Sequence, residues 1–321
     1  MERHVARILL TRRWPKSIEA SLAVQHEVHL NETDTPMSQA DLAAAMATFD
    51  IVCPTVSDRI DADVIGSGGR VRIIANYGAG VDHIDLSAAK AARIVVSNTP
   101  DVLTEATAEL ALLLMMMVSR RASEGERELR SGDWSGWRPT HLIGRSLRGK
   151  TLGLIGYGRI ARVTARLARA ALGVETIYHS RRAATNDDIG SRYIGSVTDL
   201  VAEADIVSLH CPGGTETRHL IDAAMIERMK PGAVLINTAR GSVVDEVALA
   251  AALVAGKIGG AGLDVYEHEP AVHPSLLEAP NVVLLPHLGS ATLEAREAMG
   301  RQVVLNLEAL LEGREPPNRV A

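Results

Sequence analysis

Short apolar runs rich in β-branched residues alternate with helix-length segments along most of the chain. Runs of this kind are typical of strands that are buried on both faces, and the segments between them leave room for crossover helices. The pattern therefore predicts parallel sheets built from βαβ units. The predicted strands are Arg7–Leu10, Ile51–Cys53, Arg72–Ala75, Ile94–Val96, Thr151–Ile155, Thr176–Tyr178, Ile206–Leu209, Val234–Asn237, Gly262–Val265 and Val282–Leu285.

This series of strands and helices occurs twice. The first series ends near Asn98–Asp101, where Pro100 disfavours helical geometry at the residue before it. A long helix is predicted next, from Val102 to about Arg121, and the chain therefore reads as two α/β domains. The last predicted helix, Leu293–Leu311, is amphipathic, and the polar segment after it, Gly313–Ala321, is expected to be frayed.

Composition limits the possible partners and compartments. The 321 residues are 46% hydrophobic and 23% charged, and the net charge of −5 gives no overall attraction to nucleic acid or to an anionic membrane. Two cysteines cannot build a disulfide framework and suit a reducing compartment. The first residues lack the apolar run of a signal peptide, and the most apolar segment, Leu110–Val118, is too short to span a bilayer. We expect a cytoplasmic protein with no metal cluster.

Gly156 and Gly158 occupy the first two positions of a dinucleotide-binding fingerprint, and Ala161 takes the third, as the fingerprint permits. Without Cβ atoms the turn can tighten, and the amides of Arg159 and Ile160 then begin a helix whose N-terminus favours a pyrophosphate. A tight strand–helix turn of an unrelated fold would look similar. The buried strand before the turn and the amphipathic helix after it favour dinucleotide binding.

Helical spacing also predicts which side of that helix is buried. The buried side is Ile160, Val163, Leu167 and Ala171, and the solvated side is Arg159, Arg162, Arg166 and Arg169.

About 20 residues beyond such a turn, an acid usually binds the adenosine ribose. Ser180, Arg181 and Arg182 stand there instead. A serine removes the repulsion that an acid would exert on a ribose 2′-phosphate, and the two arginines supply cations. The sequence therefore predicts NADP(H), with NAD(H) as the alternative if both arginines are only surface charges.

Three reactive side chains each follow a predicted strand of the second series. They are Arg240, Glu269 and His287. The carboxyl ends of parallel strands meet at one edge of a sheet, so these groups could converge there. Reduction of a 2-oxo acid needs a cation for the carboxylate, a proton donor near neutral pKa and an acid that orients the donor. A capping arginine, a loop carboxylate and a core histidine would give the same pattern.

The motifs GYGRIA, LHCP, INTARG, GLDVYEHEP and PHLGSAT, in this order, resemble those of the D-isomer-specific 2-hydroxyacid dehydrogenases. The resemblance covers essentially the whole chain, including NYGAGVDHID and NTPDVLTEATAEL, and within the family it is strongest to the glyoxylate/hydroxypyruvate reductases. It implies a flavodoxin-like substrate-binding domain of residues 1–99 and 288–321. It also implies a Rossmann domain of residues 100–287, with a cleft between the two.

The resemblance implies roles for individual residues. Arg240 resembles the substrate-binding arginine, His287 the general acid–base and Glu269 its partner, while Ala79 and Gly80 resemble the loop whose amides hold the substrate carboxylate. The remaining residues implied at the cofactor are Thr107, Cys211, Pro212, Thr217, Thr238, Ala239 and Asp264.

The family resemblance also implies a homodimer built on the apolar helix after residue 102. Trp134 and Trp137 would then either pack at the interface or close the substrate pocket.

Other functions remain open at this stage. A related reductase of longer substrates, such as a 2-ketoaldonate, fits the same motifs. Formate dehydrogenases share the architecture, but Glu269 argues against formate because that reaction leaves no alkoxide to protonate. A non-enzymatic, corepressor-like protein that senses dinucleotides is the third alternative.

Overall fold

The chain divides into two compact units, which the computed structural model describes over residues 5–321. One unit is residues 5–103 with Ser290–Ala321, and the other is Thr104–Gly289. No helix in the described range combines the length and the apolar composition needed to cross a membrane. In the same range, no three His, Cys, Asp or Glu side chains are grouped so that they could hold a metal ion.

The first unit is a five-stranded parallel sheet covered by helices. Its strands are β1 (Arg7–Leu10), β2 (Glu27–Leu30), β3 (Ile51–Cys53), β4 (Ile73–Ala75) and β5 (Val95–Ser97), in the order β2-β1-β3-β4-β5. Its helices are α1 (Lys16–Ala23), α2 (Gln39–Thr48), α3 (Ala62–Gly66), α4 (Leu86–Ala91) and α12 (Leu293–Leu311). The apolar face of α12, with Met299, Val303 and Leu307, is buried in the core of this unit beside Ile18 and Leu22.

The second unit is a seven-stranded parallel sheet. Its strands are β6 (Thr151–Ile155), β7 (Glu175–His179), β8 (Arg192–Tyr193), β9 (Ile206–Leu209), β10 (Val234–Asn237), β11 (Gly260–Leu263) and β12 (Val282–Leu284), in the order β12-β11-β10-β9-β6-β7-β8. Its helices are α5 (Thr104–Ser119), α6 (Ala122–Ser131), α7 (Arg159–Leu172), α8 (Val197–Glu203), α9 (Ala223–Arg228), α10 (Glu246–Val254) and α11 (Pro274–Glu278).

The strand order of the second unit reverses between β6 and β9, which pair in register from Leu152↔Ile206 to Ile155↔Leu209. This is the doubly wound order of dinucleotide-binding folds, which bind ligands where the order reverses. The predicted fold class, two doubly wound parallel sheets, is confirmed.

Several details of the predicted elements are wrong. The strands β2 and β8 were not predicted, and β11 begins at Gly260 rather than Gly262. The buried side of α7 is Ala161, Val163, Thr164, Ala165 and Ala168, whereas Ala171 is exposed. The end of the chain is not frayed either, because residues 318–321 bond to β5 along an edge that would otherwise lack partners.

Candidate active site

Arg240, Glu269 and His287 lie together at one edge of the second sheet. They follow β10, β11 and β12, which are neighbouring parallel strands whose carboxyl ends meet there. The Nδ1 atom of His287 lies 2.8 Å from Oε2 of Glu269. The Arg240 charge is near enough to contribute to the lowered pKa of Glu269. The structure thus brings together the three reactive groups that the sequence singled out.

The Glu269 carboxylate is held in its ionised form. Burial acts to raise its pKa, but the hydrogen bond with His287, a bond from the Tyr266 amide and the Arg240 charge together lower it. The Tyr266 amide donates to Oε1 at 3.0 Å. Because Glu269 occupies Nδ1 of His287, the ring is oriented with Nε2 as its remaining polar atom.

The backbone at His287 is left-handed, with a φ of 55°, and Asp264 holds it there. The amide of His287 donates to the Asp264 carbonyl at 2.9 Å. The buried Asp264 carboxylate accepts from the amides of Leu288, at 2.6 Å, and Gly289, at 2.8 Å. This clamp leaves no signal in the sequence, because its contacts join residues 24 and 25 positions apart in the chain.

Arg240 is oriented by the backbone around it. It is extended and precedes a single 3₁₀ turn, Gly241–Val243. Its Nη1 atom donates to the Ala239 carbonyl at 2.8 Å, and its own carbonyl accepts from the Asn237 side-chain amide at 2.9 Å. These contacts hold the backbone and the guanidinium of Arg240 just beyond the end of β10.

The glycine turn lies close against the backbone that directly follows β9. Gly156 has a φ of 87°, and a Cβ there would lie 2.7 Å from backbone atoms of His210 and Cys211. Gly158 caps the N-terminus of α7, and a Cβ on it would meet open space. Gly156 is therefore required by the protein itself, whereas the space beside Gly158 is available to a ligand.

Two arginines that lack acidic partners in the described range follow the end of β7. The side chains of Arg181 and Arg182 are exposed, and within residues 5–321 neither forms an ion pair or a hydrogen bond. The Ser180 hydroxyl donates to the Arg182 carbonyl at 2.6 Å. On the outer side of α7, in contrast, arginines are paired: Arg162 with Asp188, Arg166 with Glu105 and Arg169 with Glu175.

Most of the other residues implied at the cofactor lie in the loops after the strands, and Thr107 lies on α5. Thr217 donates to the Pro212 carbonyl at 2.7 Å, and the Ala239 amide donates to Asn237 Oδ1 at 3.0 Å. The Thr107 hydroxyl donates to the Gly289 carbonyl at 2.9 Å. Burial raises the pKa of Cys211 to about 11, which makes it a poor nucleophile.

Thr238 differs from these residues. Its hydroxyl oxygen is buried and has no hydrogen-bond partner within residues 5–321. Such a group normally finds a partner, so it points to a ligand or an ordered water at this position.

Ala79 and Gly80 belong to the first unit, in the turn after β4. Their amide N–H groups donate no hydrogen bond within the described range. Neighbouring free amides of this kind can form an anion-binding nest.

Comparisons with known proteins agree with this arrangement. Residues 112–289 match the family model for the D-isomer specific 2-hydroxyacid dehydrogenase, NAD binding domain. The glyoxylate reductase of Thermococcus litoralis is 41% identical over 320 residues, which cover 98% of this chain and 96% of that protein.

Solved structures show the same relationship. A Thermus thermophilus protein has a TM-score of 0.90 and 43% identity, over 98% of this chain and 100% of that one. An NADPH-dependent glyoxylate/hydroxypyruvate reductase from Sinorhizobium meliloti, in complex with NADP and malonate, has a TM-score of 0.89 and 36% identity, over 99% of this chain and 97% of that one. The chain belongs to the D-isomer-specific 2-hydroxyacid dehydrogenase family.

Proposed function

We propose that the protein uses NADPH to reduce a small 2-oxo acid, converting glyoxylate to glycolate and hydroxypyruvate to D-glycerate. The observation that carries this proposal is the 2.8 Å contact between His287 and Glu269, with the Arg240 charge acting on the same carboxylate. The similarity to proteins named glyoxylate reductase supports the substrate class.

The proposed mechanism assigns one task to each group. The cofactor, when bound, supplies the hydride. His287 donates a proton from Nε2 to the substrate oxygen as that oxygen gains negative charge, and Glu269 orients the ring through Nδ1. Arg240 binds the substrate carboxylate and polarises the carbonyl, because its planar fork can bind two oxygens at once. The amides of Ala79 and Gly80 donate to the same carboxylate.

Residues of the second unit fit a dinucleotide. The open space beside Gly158, at the N-terminus of α7, suits a pyrophosphate, which the amides of Arg159 and Ile160 would bind. The Thr238 hydroxyl, which has no partner within residues 5–321, would supply a buried polar contact. Asp264 would meet the nicotinamide carboxamide in addition to clamping the turn after His287.

The choice of NADP(H) over NAD(H) rests on residues 180–182. Because Arg181 and Arg182 lack acidic partners in the described range, their charge is available to a 2′-phosphate. A phosphate would compete with the Arg182 carbonyl for the Ser180 hydroxyl. The Sinorhizobium meliloti enzyme, in complex with NADP, is a related case.

We also propose a homodimer. Large apolar side chains are exposed on α5, on α6 and on the segment after α6, and such a concentration is typical of an interface. They are Leu113, Met116, Leu129, Trp134, Trp137 and Ile143. Light scattering at micromolar concentration should give twice the mass of the 34.3 kDa chain.

The experiment that tests the function follows NADPH absorbance over a panel of 2-oxo acids. Glyoxylate and hydroxypyruvate should be reduced faster than branched or aldonic substrates. His287→Ala should lower kcat by about 10²–10⁴-fold while NADPH still binds, since general acid catalysis is typically worth that factor. Preferred turnover of a 2-ketoaldonate would replace the proposed substrate. Absence of turnover across the panel would favour a dinucleotide-sensing role.

A further inference from the structure

Asparagine side chains hold three successive carbonyl groups of the turn after β4. The Asn76 side-chain amide donates to the carbonyls of Gly78 and Gly80, both at 2.9 Å. The Asn98 side-chain amide donates to the carbonyl between them, that of Ala79, at 2.7 Å. We name residues 78–80 the substrate turn.

Holding these carbonyls sets the direction of the amides. In a planar trans peptide, a carbonyl and the N–H group of the next residue point in opposite directions. The Gly78 and Ala79 carbonyls are held by asparagines, so the N–H groups of Ala79 and Gly80 are turned away from them. The absence of any donated bond from these two amides within residues 5–321 fits this geometry.

Asn98 is itself fixed by the end of the chain. The backbone amide of Asn98 donates to the backbone carbonyl of Asn318 at 3.2 Å. The backbone carbonyl of Asn98 accepts from the side-chain amide of Asn306 at 3.1 Å. Asn306 is fully buried on α12, and its Oδ1 atom accepts from the Asn318 amide at 3.0 Å. One buried side chain therefore joins residues 98 and 318.

Pairing with β5 holds Asn318 in place. The amide of Val320 donates to the Val96 carbonyl at 2.8 Å, and the amide of Val96 donates to the Ala321 carbonyl at 3.0 Å. Ser97 and Arg319 form an antiparallel bridge. We name residues 318–321 the terminal segment. It extends the sheet at the strand that leads directly into Asn98.

We propose that the terminal segment positions the substrate turn through Asn306 and Asn98, and so sets the affinity for the substrate carboxylate. The inference rests on the proposed role of Ala79 and Gly80. The terminal segment and Asn306 do not themselves touch substrate. They fix the backbone of Asn98, and the Asn98 side chain fixes the Ala79 carbonyl. Small displacements of positioning groups are costly, because binding and catalysis depend on closely aligned contacts.

Two variants test the proposal. Asn306→Asp keeps an acceptor for the Asn318 amide but removes the donor to the Asn98 carbonyl. Deletion of residues 318–321 removes the pairing with β5, and none of the four deleted residues is fully buried, so the unit should still fold. Arg314→Ala is the matched control, because its exposed side chain pairs with Glu312 and lies outside both the terminal segment and the link through Asn306.

Four quantities should be measured for each protein: kcat and KM for glyoxylate at saturating NADPH, the inhibition constant of oxalate, and the Kd of NADPH. Both test variants should raise the glyoxylate KM and the oxalate constant by about threefold to tenfold, the usual range for one lost hydrogen bond. The Kd of NADPH should stay within about twofold, and Arg314→Ala should match the wild type.

The outcomes separate the two proposals. An active wild type whose folded variants keep the wild-type KM and oxalate constant would overturn the positioning role alone. A fall in kcat and melting temperature with unchanged KM would overturn it as well, since that pattern indicates general destabilisation. A wild type that reduces no 2-oxo acid would overturn the proposed function and, with it, this inference. If Asn306→Asp does not fold, the deletion variant decides.

Discussion

At the scale of single residues, the chemistry depends on how His287 is held. A left-handed backbone is uncommon outside glycine, and its cost is usually accepted where the surrounding structure fixes it for function. Here the Asp264 carbonyl and carboxylate bind three consecutive amides, from His287 to Gly289. The imidazole is thus fixed from two sides, by Asp264 through its backbone and by Glu269 through its ring.

Replacement of Glu269 by glutamine should change the pH dependence of reduction. The carboxylate is ionised at neutral pH and binds Nδ1 of His287, which orients the ring as proton donor. Because the pKa of Glu269 is lowered, this advantage over glutamine is present at neutral pH and is lost as the pH falls through that pKa and the carboxyl becomes protonated. The ratio of wild-type to variant kcat/KM should therefore become smaller at acid pH. At neutral pH, kcat/KM should fall by about 10- to 150-fold, the value of a hydrogen bond to a charged group.

The matched control is Glu267→Gln. Glu267 pairs with Arg218 and His219 rather than with His287, so its replacement should leave the pH profile where it is. Equal shifts in both variants would show that the effect is only one of net charge.

Replacement of Arg240 by lysine should damage the enzyme although it keeps the charge. An ammonium group cannot bind two carboxylate oxygens in the geometry of a guanidinium. We expect a higher KM for glyoxylate and a lower kcat, with NADPH affinity little changed, in steady-state kinetics and fluorescence titration. A wild-type KM would mean that Arg240 does not contact substrate.

At the scale of helices and strands, the apolar strands could be predicted, whereas the polar edge strands β2 and β8 could not. Central strands such as β9 and β10 are continuous apolar runs, which is the pattern of strands buried on both faces. The edge strand β2 has the sequence EVHL, too polar for that pattern.

Close helix packing explains the other errors. A Cβ on Gly262 would lie 3.0 Å from Leu114 on α5, so glycine within β11 lets that helix approach the sheet. The buried side of α7 consists mostly of small residues. A prediction that assigns the large apolar side chains to the buried side therefore places that side wrongly.

Substitution of each glycine in the cofactor turn should separate folding from binding. Gly158→Ala should leave the melting temperature unchanged, because its φ of −83° suits alanine and its Cβ would meet open space. It should nevertheless raise the Kd of both NADPH and NADH by about tenfold or more, since the pyrophosphate would occupy the space that the new methyl group fills. Gly156→Ala should lose both stability and binding. Normal binding of both cofactors by Gly158→Ala would place the pyrophosphate elsewhere.

At the scale of the whole molecule, motifs that extend over both units made the family and the fold class predictable. Reactive residues that follow central strands could also be grouped in advance, because parallel topology brings strand ends together. The Asp264 clamp and the link from Asn318 through Asn306 to Asn98 could not be predicted. They are contacts between short polar side chains and distant backbone, which leave no periodic signal in a sequence.

The central claim, NADPH-dependent reduction of a small 2-oxo acid, is tested most directly by kcat/KM for glyoxylate reduction with each cofactor. The value of kcat/KM should be about 10- to 150-fold higher with NADPH than with NADH, which is the ratio that corresponds to one charge-assisted hydrogen bond. Arg181→Ala should lower kcat/KM with NADPH and leave kcat/KM with NADH unchanged. Ser180→Asp combined with Arg181→Ala should reverse the preference, because the new carboxylate repels a 2′-phosphate and accepts a hydrogen bond from a ribose hydroxyl. Equal use of both cofactors by the wild type, or a loss in Arg181→Ala shared by both, would contradict the account.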